Sequence, residues 1–436
     1  MARLLGYINN PHASSYKSIH IAGTNGKGST IAYLSSIFTK SNIRNGRFTS
    51  PHMMYYNDCI AINNETYPLT KFKKVNDEIL EKNRIHQVGC TEFELLTVTA
   101  FKIFEIERVE LALIEVGVGG RLDATNVLQP GTISRGFRAS GDIIGESDRQ
   151  TLELETESEA NQRSGGVIVT GITKIGYDHE GLLGNTLTAI ATEKAGIIKP
   201  QIPCVVDCSN EQIVLDTIMS QAESMNAPVY LVGSETKAKS LVELSPLRGE
   251  YQINNLAIAL KIIDIIKENS NFHSRITPET IELGISTTVW PGRLQNITLA
   301  NGLQILLDGA HNEAAAIELG KYLQKYRDGK GIIFVIGVTT GKSITKLLRH
   351  IIEKDKDLVI ATGFTKPEGM PWILSYPIAD LQAKAREFCQ VDPIIIDNDI
   401  DQLFDHIKKY KLQGDDRKIV VCGSLYLCGD VLRLVT

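Results

Sequence analysis

Apolar residues in this chain come in short, nearly continuous runs separated by stretches of helical spacing. "SIHIAG" (18–23) leads into a glycine turn and then into "STIAYLSSIFTKSN" (29–42), a helix by its period. "VELALIEVG" and "VIVTGIT" are apolar almost without interruption, as strands covered on both faces are. A second alternating series follows "WPGRLQ": "LQILLDG", a helix from Ala314 to Tyr326, "GIIFVIG", a helix from Ser343, "LVIAT", a helix around Leu381 to Phe388, "PIIID", another helix, and "KIVVCG". Strands alternating with helices predict parallel α/β layering twice over. Trp290, Pro291 and Gly292 interrupt both periods, so the expected domains are 1–289 and a smaller 290–436. Residues 131–166 carry one aromatic, many Ser, Gly and Glu and no sustained period, and predict a disordered insertion in the first domain.

Composition narrows the classes. The 436 residues are 43% hydrophobic and 22% charged, ordinary for a globular chain of about two domains. The net charge of −5 is dispersed, which argues against a nucleic-acid track or a basic membrane surface, so the expected partners are small molecules. The first twenty residues lack a signal pattern and no run reaches the ~18 residues of a membrane span, which predicts a cytoplasmic protein, with a mitochondrial pool left open. Seven cysteines without histidines at zinc spacing read as reduced thiols; Cys204, Cys208, Cys422 and Cys428 are expected to be buried.

The candidate chemistry clusters at strand ends. In "HIAGTNGKGST", Gly23, Gly26 and Gly28 let backbone N–H groups face a polyphosphate at a helix N-terminus, where Lys27 adds a charge. The usual spacing would place glycine at Ile21 and Ser or Thr at Gly28, so the loop is a shortened form. Ser29 is the natural Mg2+ ligand beside the phosphates. Glu115 ends an apolar strand and needs a cation; Arg121 is one candidate. His179 in "GYDHEGLLGN" also follows a strand. Lys194, on a helix beginning near Asn185, reads by itself as a solvated lysine. "GVTTGKS" (337–343) is one residue short of a phosphate loop and reads as a helix start capped near Ser343.

Taken together, "HIAGTNGKGST", "FTSPHMMYYNDCIAINN", "TEFELLTVTAF", "IEVGVGGRLDATNV", "DHEGLLGNTLTAIATEKAGIIKP", "GEYQINNLAIA", "WPGRL" and "LLDGAHN" resemble the dihydrofolate synthase and folylpolyglutamate synthase family of Mur-ligase-like amide ligases. "EGMPW" and "VVCGSLYLCG" are similar to the fungal branch that adds the first glutamate. The resemblance implies a Mur-ligase-like parallel-sheet P-loop ATPase domain followed by a smaller Rossmann-like α/β domain. It implies an enzyme that uses ATP to join L-glutamate to dihydropteroate, acting as a monomer with two Mg2+ sites and, as a further candidate, K+. By motif it places Gly23, Thr24, Asn25, Gly26, Lys27, Gly28, Ser29, Thr30, Asn255, Arg293 and Asp308 on ATP, and Ser29, Glu115 and His179 on metal. Lys27, His179 and Lys194, the last carbamylated, become the catalytic set. Ser50, Pro51, His52, His311 and Ser424 are implied substrate contacts. Cys59 stands where the family has an arginine, and residues 131–166 replace a short connection. Three other activities compete with this reading: polyglutamylation of tetrahydrofolate, a Mur-type cell-wall ligase and a simple P-loop kinase. An ATP-binding regulatory protein without turnover is a reading of another class.

Overall fold

The computed structural model describes residues 1–131, 165–234, 236–269, 272–397 and 399–435. These form two compact units. The first comprises Met1–Pro51, Cys59–Pro246 and Gln252–Val289; the second comprises His52–Asp58, Leu247–Tyr251 and Trp290–Thr436.

In the first unit, β1 (Lys17–Ala22), β2 (Asn45–Phe48), β3 (Ile60–Ile62), β4 (Glu65–Thr66), β5 (Leu111–Glu115), β6 (Gly166–Ile172), β7 (Cys204–Asp207) and β8 (Val229–Val232) make one sheet in the order β4-β3-β2-β5-β1-β6-β7-β8. All pairings from β2 to β8 are parallel. The side chains of β5 and β6 are buried throughout, as their almost uninterrupted apolar sequence requires. An antiparallel edge hairpin departs from the expected parallel sheet: β3 and β4 are joined by Asn63 and Asn64, both at positive φ (49° and 67°), the twist a two-residue hairpin turn prefers.

Because β1 lies between β5 and β6, the chain leaves its C-terminal end at a point where strand order reverses, the usual place for a ligand crevice. The helix Lys27–Lys40 starts there. It is buried along most of its length, and Gly284 of the helix Pro278–Ser286 approaches it so closely that an added Cβ would stand 2.5 Å from Ile37 Cα.

The second unit holds β9 (Gln295–Thr298), β10 (Gln304–Leu307), β11 (Ile332–Ile336), β12 (Leu358–Ala361), β13 (Ile394–Ile395) and β14 (Lys418–Cys422), in the order β13-β12-β11-β14-β10-β9. Only β9 runs antiparallel among these described strands. Apolar clusters cover both faces. Arg327, buried, ties the end of one helix to Asp357, ahead of β12, and to the carbonyl of Ile351.

Of the segment expected to be disordered, residues 132–164 lie outside the described residues. Its ends are ordered into the sheet: Gly131 N–H donates to the Val167 carbonyl and Gly166 begins β6. None of the seven cysteines is in a disulfide; Cys204, Cys422 and Cys428 are buried, but Cys208 is exposed because it lies just beyond β7, where the chain leaves the core. Among the described residues, no helix is long and apolar enough to cross a membrane.

Candidate active site

The loop between β1 and the following helix is held from one side by the chain after β6. Thr24 and Asn25 N–H groups both donate to the Lys174 carbonyl (2.8 and 3.1 Å), and the Thr173 hydroxyl donates to the Asn25 carbonyl at 2.8 Å. Thr24 Oγ1 exchanges hydrogen bonds with the backbone of Gly176. Two glycines are demanded by this packing: a Cβ on Gly23 would stand 1.9 Å from Thr173 Oγ1, and one on Gly26, at φ 97°, would stand 2.2 Å from Asn255 Oδ1. Gly26 is the N-cap of the helix, which leaves the N–H groups of Lys27, Gly28 and Ser29 in its first turn without helical partners, while Thr30 N–H donates to the Gly26 carbonyl at 2.9 Å. Ser29 is buried and its Oγ accepts from Gln252 Nε2 at 3.4 Å; Gln252 Oε1 accepts in turn from Asn255 Nδ2 at 3.0 Å. Thr30 Oγ1 donates to the Asn255 carbonyl.

Three ionisable groups meet at this loop. Lys27 Nζ donates to the carbonyls of Gly23 (3.2 Å) and Thr24 (3.4 Å) and stands 3.7 Å from Glu115 Oε1 at the end of β5. Glu115 also accepts from Ser50 N–H at 3.3 Å, bringing the loop after β2 to the same carboxylate; the Ser50–Pro51 peptide is cis. The cation of Glu115 is therefore Lys27, and Arg121, the candidate suggested by sequence, pairs with Glu193 instead. Lys194 corrects a second expectation. It lies in the helix Leu187–Ala195, capped by Thr186, and is buried, with Nζ donating to the Gly23 carbonyl at 2.8 Å. Burial, followed by the Lys27 cation, pulls its pKa down to about 7 against the opposing influence of Asp178 and Asp123. The helical period around Lys194 gave no sign of this, because what buries it is a loop 171 residues away.

His179 adopts a left-handed backbone (φ 52°) at the start of a short helix; its side chain is exposed, with Nε2 4.0 Å from Asp178 Oδ1. Among the described residues no three His, Cys, Asp or Glu side chains form a ready metal cage. A buried hydroxyl and a strand-end carboxylate beside a phosphate loop suit Mg2+, which keeps few protein ligands and fills its shell with phosphate oxygens and water.

In the second unit, Asp308 follows β10 and is buried; its carboxylate accepts N–H bonds from Leu294 and Ala310, both 2.9 Å. Burial raises its pKa, while Arg293, those two bonds and His311 pull it the other way. Arg293 Nη1 donates to Gly292 O, His311 Nδ1 to Gly309 O at 2.8 Å, and Ser424 caps the helix Leu425–Leu432. Ser343 caps a helix start, so "GVTTGKS" has the form expected. His52 belongs to this unit. It is buried, edge-on to Tyr56 and Tyr426, and helps line a pocket of about 230 Å3 with Lys366, Glu368 and Arg433. Asp58 shapes its loop by accepting from the N–H groups of Met53, Met54 and Tyr55. Cys59, in the family's arginine position, is buried.

The chain is 36% identical over its whole length to a dihydrofolate synthetase of Saccharomyces cerevisiae, covering 96% of that protein. The chain belongs to the dihydrofolate synthase and folylpolyglutamate synthase family. It is also 36% identical to a probable dihydrofolate synthetase of Schizosaccharomyces pombe, over 99% of this chain and 96% of that one. The family described as dihydrofolate synthetase, C-terminal domain, matches residues 294–434. A folylpolyglutamate synthase of Mycobacterium tuberculosis, solved with ADP and AMPPCP, has the same fold, with a TM-score of 0.78 at 24% identity over 99% of this chain and 94% of that one.

In this member of the family, reasoning from sequence overlooked four side chains of the first unit. Gln252 sits one turn before Asn255 and touches Ser29. Thr173 braces the phosphate loop. Asp123 and Asp178 influence Lys194. All lie in or beside motifs that were legible, but only long-range packing distinguishes them from capping and loop residues.

Proposed function

We propose that the chain ligates L-glutamate to 7,8-dihydropteroate at the expense of ATP, through an acyl phosphate, giving dihydrofolate, ADP and phosphate. The observation that carries the reading is the full-length likeness to two fungal dihydrofolate synthetases, in a chain whose own Lys27, Glu115 and Lys194 converge on one phosphate loop.

The chemistry has two displacements. A carboxylate oxygen of the pteroate attacks the γ-phosphorus, forming a C–O–P link as the bond to ADP breaks. The glutamate amine then attacks the acyl carbon, and the C–O bond to phosphate breaks as the amide forms and a proton is lost. Lys27 gives up its carbonyl partners for the β and γ phosphate oxygens, stronger acceptors because they are charged. Ser29 and Glu115 hold Mg2+, which when bound neutralises charge on the transferred phosphoryl group; His179 serves a second Mg2+. The family resemblance assigns Gly23 to Thr30, Asn255, Arg293 and Asp308 to the nucleotide. Ser50, Pro51 and His52 contact the pteroate, and His311 and Ser424 the glutamate. Lys194 is well prepared for carbamylation. At pH 7.5 an amine with a pKa of about 7 is roughly three-quarters neutral, against roughly one part in a thousand for a solvated lysine, and only the neutral amine adds CO2.

The test is phosphate release with Mg-ATP and L-glutamate, comparing dihydropteroate, dihydrofolate and tetrahydrofolate as acceptors and reading product mass. Release confined to dihydropteroate, with one glutamate added, is expected. Activity on tetrahydrofolate moves the assignment to polyglutamylation, and nucleotide binding without release on any acceptor rejects the ligase. Exchanging K+ for Na+ in the same assay reads whether a monovalent cation takes part.

A further inference from the structure

His20 occupies the centre of β1, fully buried, where β1 lies against β5 and β6. Its Nε2 is 2.8 Å from Thr125 Oγ1, and Thr125 is buried as completely. Thr125 Oγ1 lies 2.5 Å from Asp123 Oδ2, to which it donates. A hydroxyl has one proton to give, so its contact with the imidazole is one it accepts, and His20 carries its hydrogen on Nε2. Burial, with Lys199 as the second influence, lowers the His20 pKa to about 3, so the ring is neutral and its other nitrogen is bare. That Nδ1 is buried and finds no hydrogen-bond partner among the described residues. A buried unpartnered nitrogen is destabilising, and a β-branched apolar side chain would fill the same strand position without that penalty. Packing alone therefore gives no reason for histidine here.

What the histidine holds leads back to the active site. Asp123 Oδ1 accepts from Val118 N–H and Oδ2 from Thr125 N–H, both at 3.0 Å, which closes the turn that follows Glu115. This turn lies directly on the helix of Lys194. Arg121 N–H donates to the Glu193 carbonyl at 2.7 Å, and a Cβ on Gly120 would stand 2.8 and 2.9 Å from the Glu193 and Lys194 carbonyl oxygens. The same Asp123 is one of two carboxylates that favour the charged form of Lys194.

We propose that His20 is a positioning residue for the ligase reaction: by donating to Thr125 it commits that hydroxyl to Asp123, and so fixes the Asp123 carboxylate and the 117–123 turn against the Lys194 helix. Its kinetic consequence rests on the ligase reading above, whereas its structural consequence does not.

The experiment compares His20→Leu, His20→Gln and Thr125→Val in the full chain, reading native-state amide exchange at Val118 alongside kcat and KM. Leucine removes the donor, and Thr125→Val removes the relay without changing side-chain size. Glutamine returns an N–H close to the position of Nε2. Expected for H20L and T125V is Val118 exchange roughly tenfold faster and kcat roughly tenfold lower, with KM for ATP within about twofold of wild type. H20Q should recover most of both, and the H20L/T125V double variant should be no worse than either single change, since both cut one chain of bonds. Unchanged Val118 exchange in H20L overturns the proposal, as does an H20Q no better than H20L. So does a general loss of stability with kcat and KM unaltered, the result of a purely structural role. If wild-type protein ligates no glutamate, the function above fails, while the exchange comparison still decides whether His20 positions the turn.

Discussion

Replacing Lys194 with methionine should make the protein more stable and inactive. The lysine is 5% exposed and its pKa falls from 10.5 to about 7 on folding. The unfolded chain therefore binds more protons than the folded one between those two values, and stability rises with pH across that window. At pH 7.5 just under three units of mismatch remain, and at about 1.36 kcal/mol per unit the lysine costs the folded state about 4 kcal/mol. Its hydrogen bond to the Gly23 carbonyl returns about 1 kcal/mol, so Lys194→Met should gain about 3 kcal/mol at pH 7.5. At pH 9.5 only about one unit remains, and the variant should lie within about 0.5 kcal/mol of wild type. Urea unfolding at the two pH values, in bicarbonate-free buffer so that the amine is not carbamylated, measures both differences. A variant no more stable than wild type at pH 7.5, or a gap that stays constant to pH 9.5, would refute the claim that burial neutralises this lysine. Glutamate-dependent phosphate release should vanish in the same variant.

Other perturbations test other parts of the site. Gly26→Ala forces a Cβ onto Asn255 Oδ1 at a φ of 97°, and should cost about 1–3 kcal/mol and weaken ATP binding; calorimetric titration with a non-hydrolysable analogue checks it, and undiminished affinity would count against the loop geometry. Glu115→Gln keeps shape but removes the charge that faces Lys27, so kcat should drop on the order of a hundredfold and excess Mg2+ should not restore it. Turnover within threefold of wild type would remove Glu115 from the metal site. In the second unit, Arg327→Ala leaves Asp357, whose side chain is 0% exposed, without its buried cation. A loss of about 3–5 kcal/mol in thermal unfolding is expected, and an unchanged melting profile would show that the pair contributes nothing.

Much of the fold was legible because a parallel strand buried on both faces must be apolar nearly throughout. β5, β6, β10, β11, β12 and β14 announce themselves this way, whereas β1 was legible from the glycine turn and helix that follow it. The antiparallel edge strands were not legible: β3, β4 and β9 are two to four residues long, partly exposed, and their sequences carry no distinctive period. The phosphate loop was legible for a similar reason, since glycines, a lysine and a helix start must be adjacent in sequence to act together. Glu115 could be singled out because a carboxylate ending an apolar strand demands a partner, though Arg121, one candidate for it, pairs with Glu193.

By itself, then, the sequence determined the strand and helix alternation, the position of the phosphate loop and the family, since each is written in neighbouring residues or in the order of motifs. Tertiary structure alone decided that Lys194 is buried on Gly23 with its pKa pulled down to about 7, that Glu115 faces Lys27, and that His20 reaches Asp123 through Thr125. Those properties belong to pairs of atoms brought within hydrogen-bonding or ion-pairing distance from about 90 to 170 residues apart, and desolvation and Coulomb energy depend on distance in space, which local periodicity does not encode.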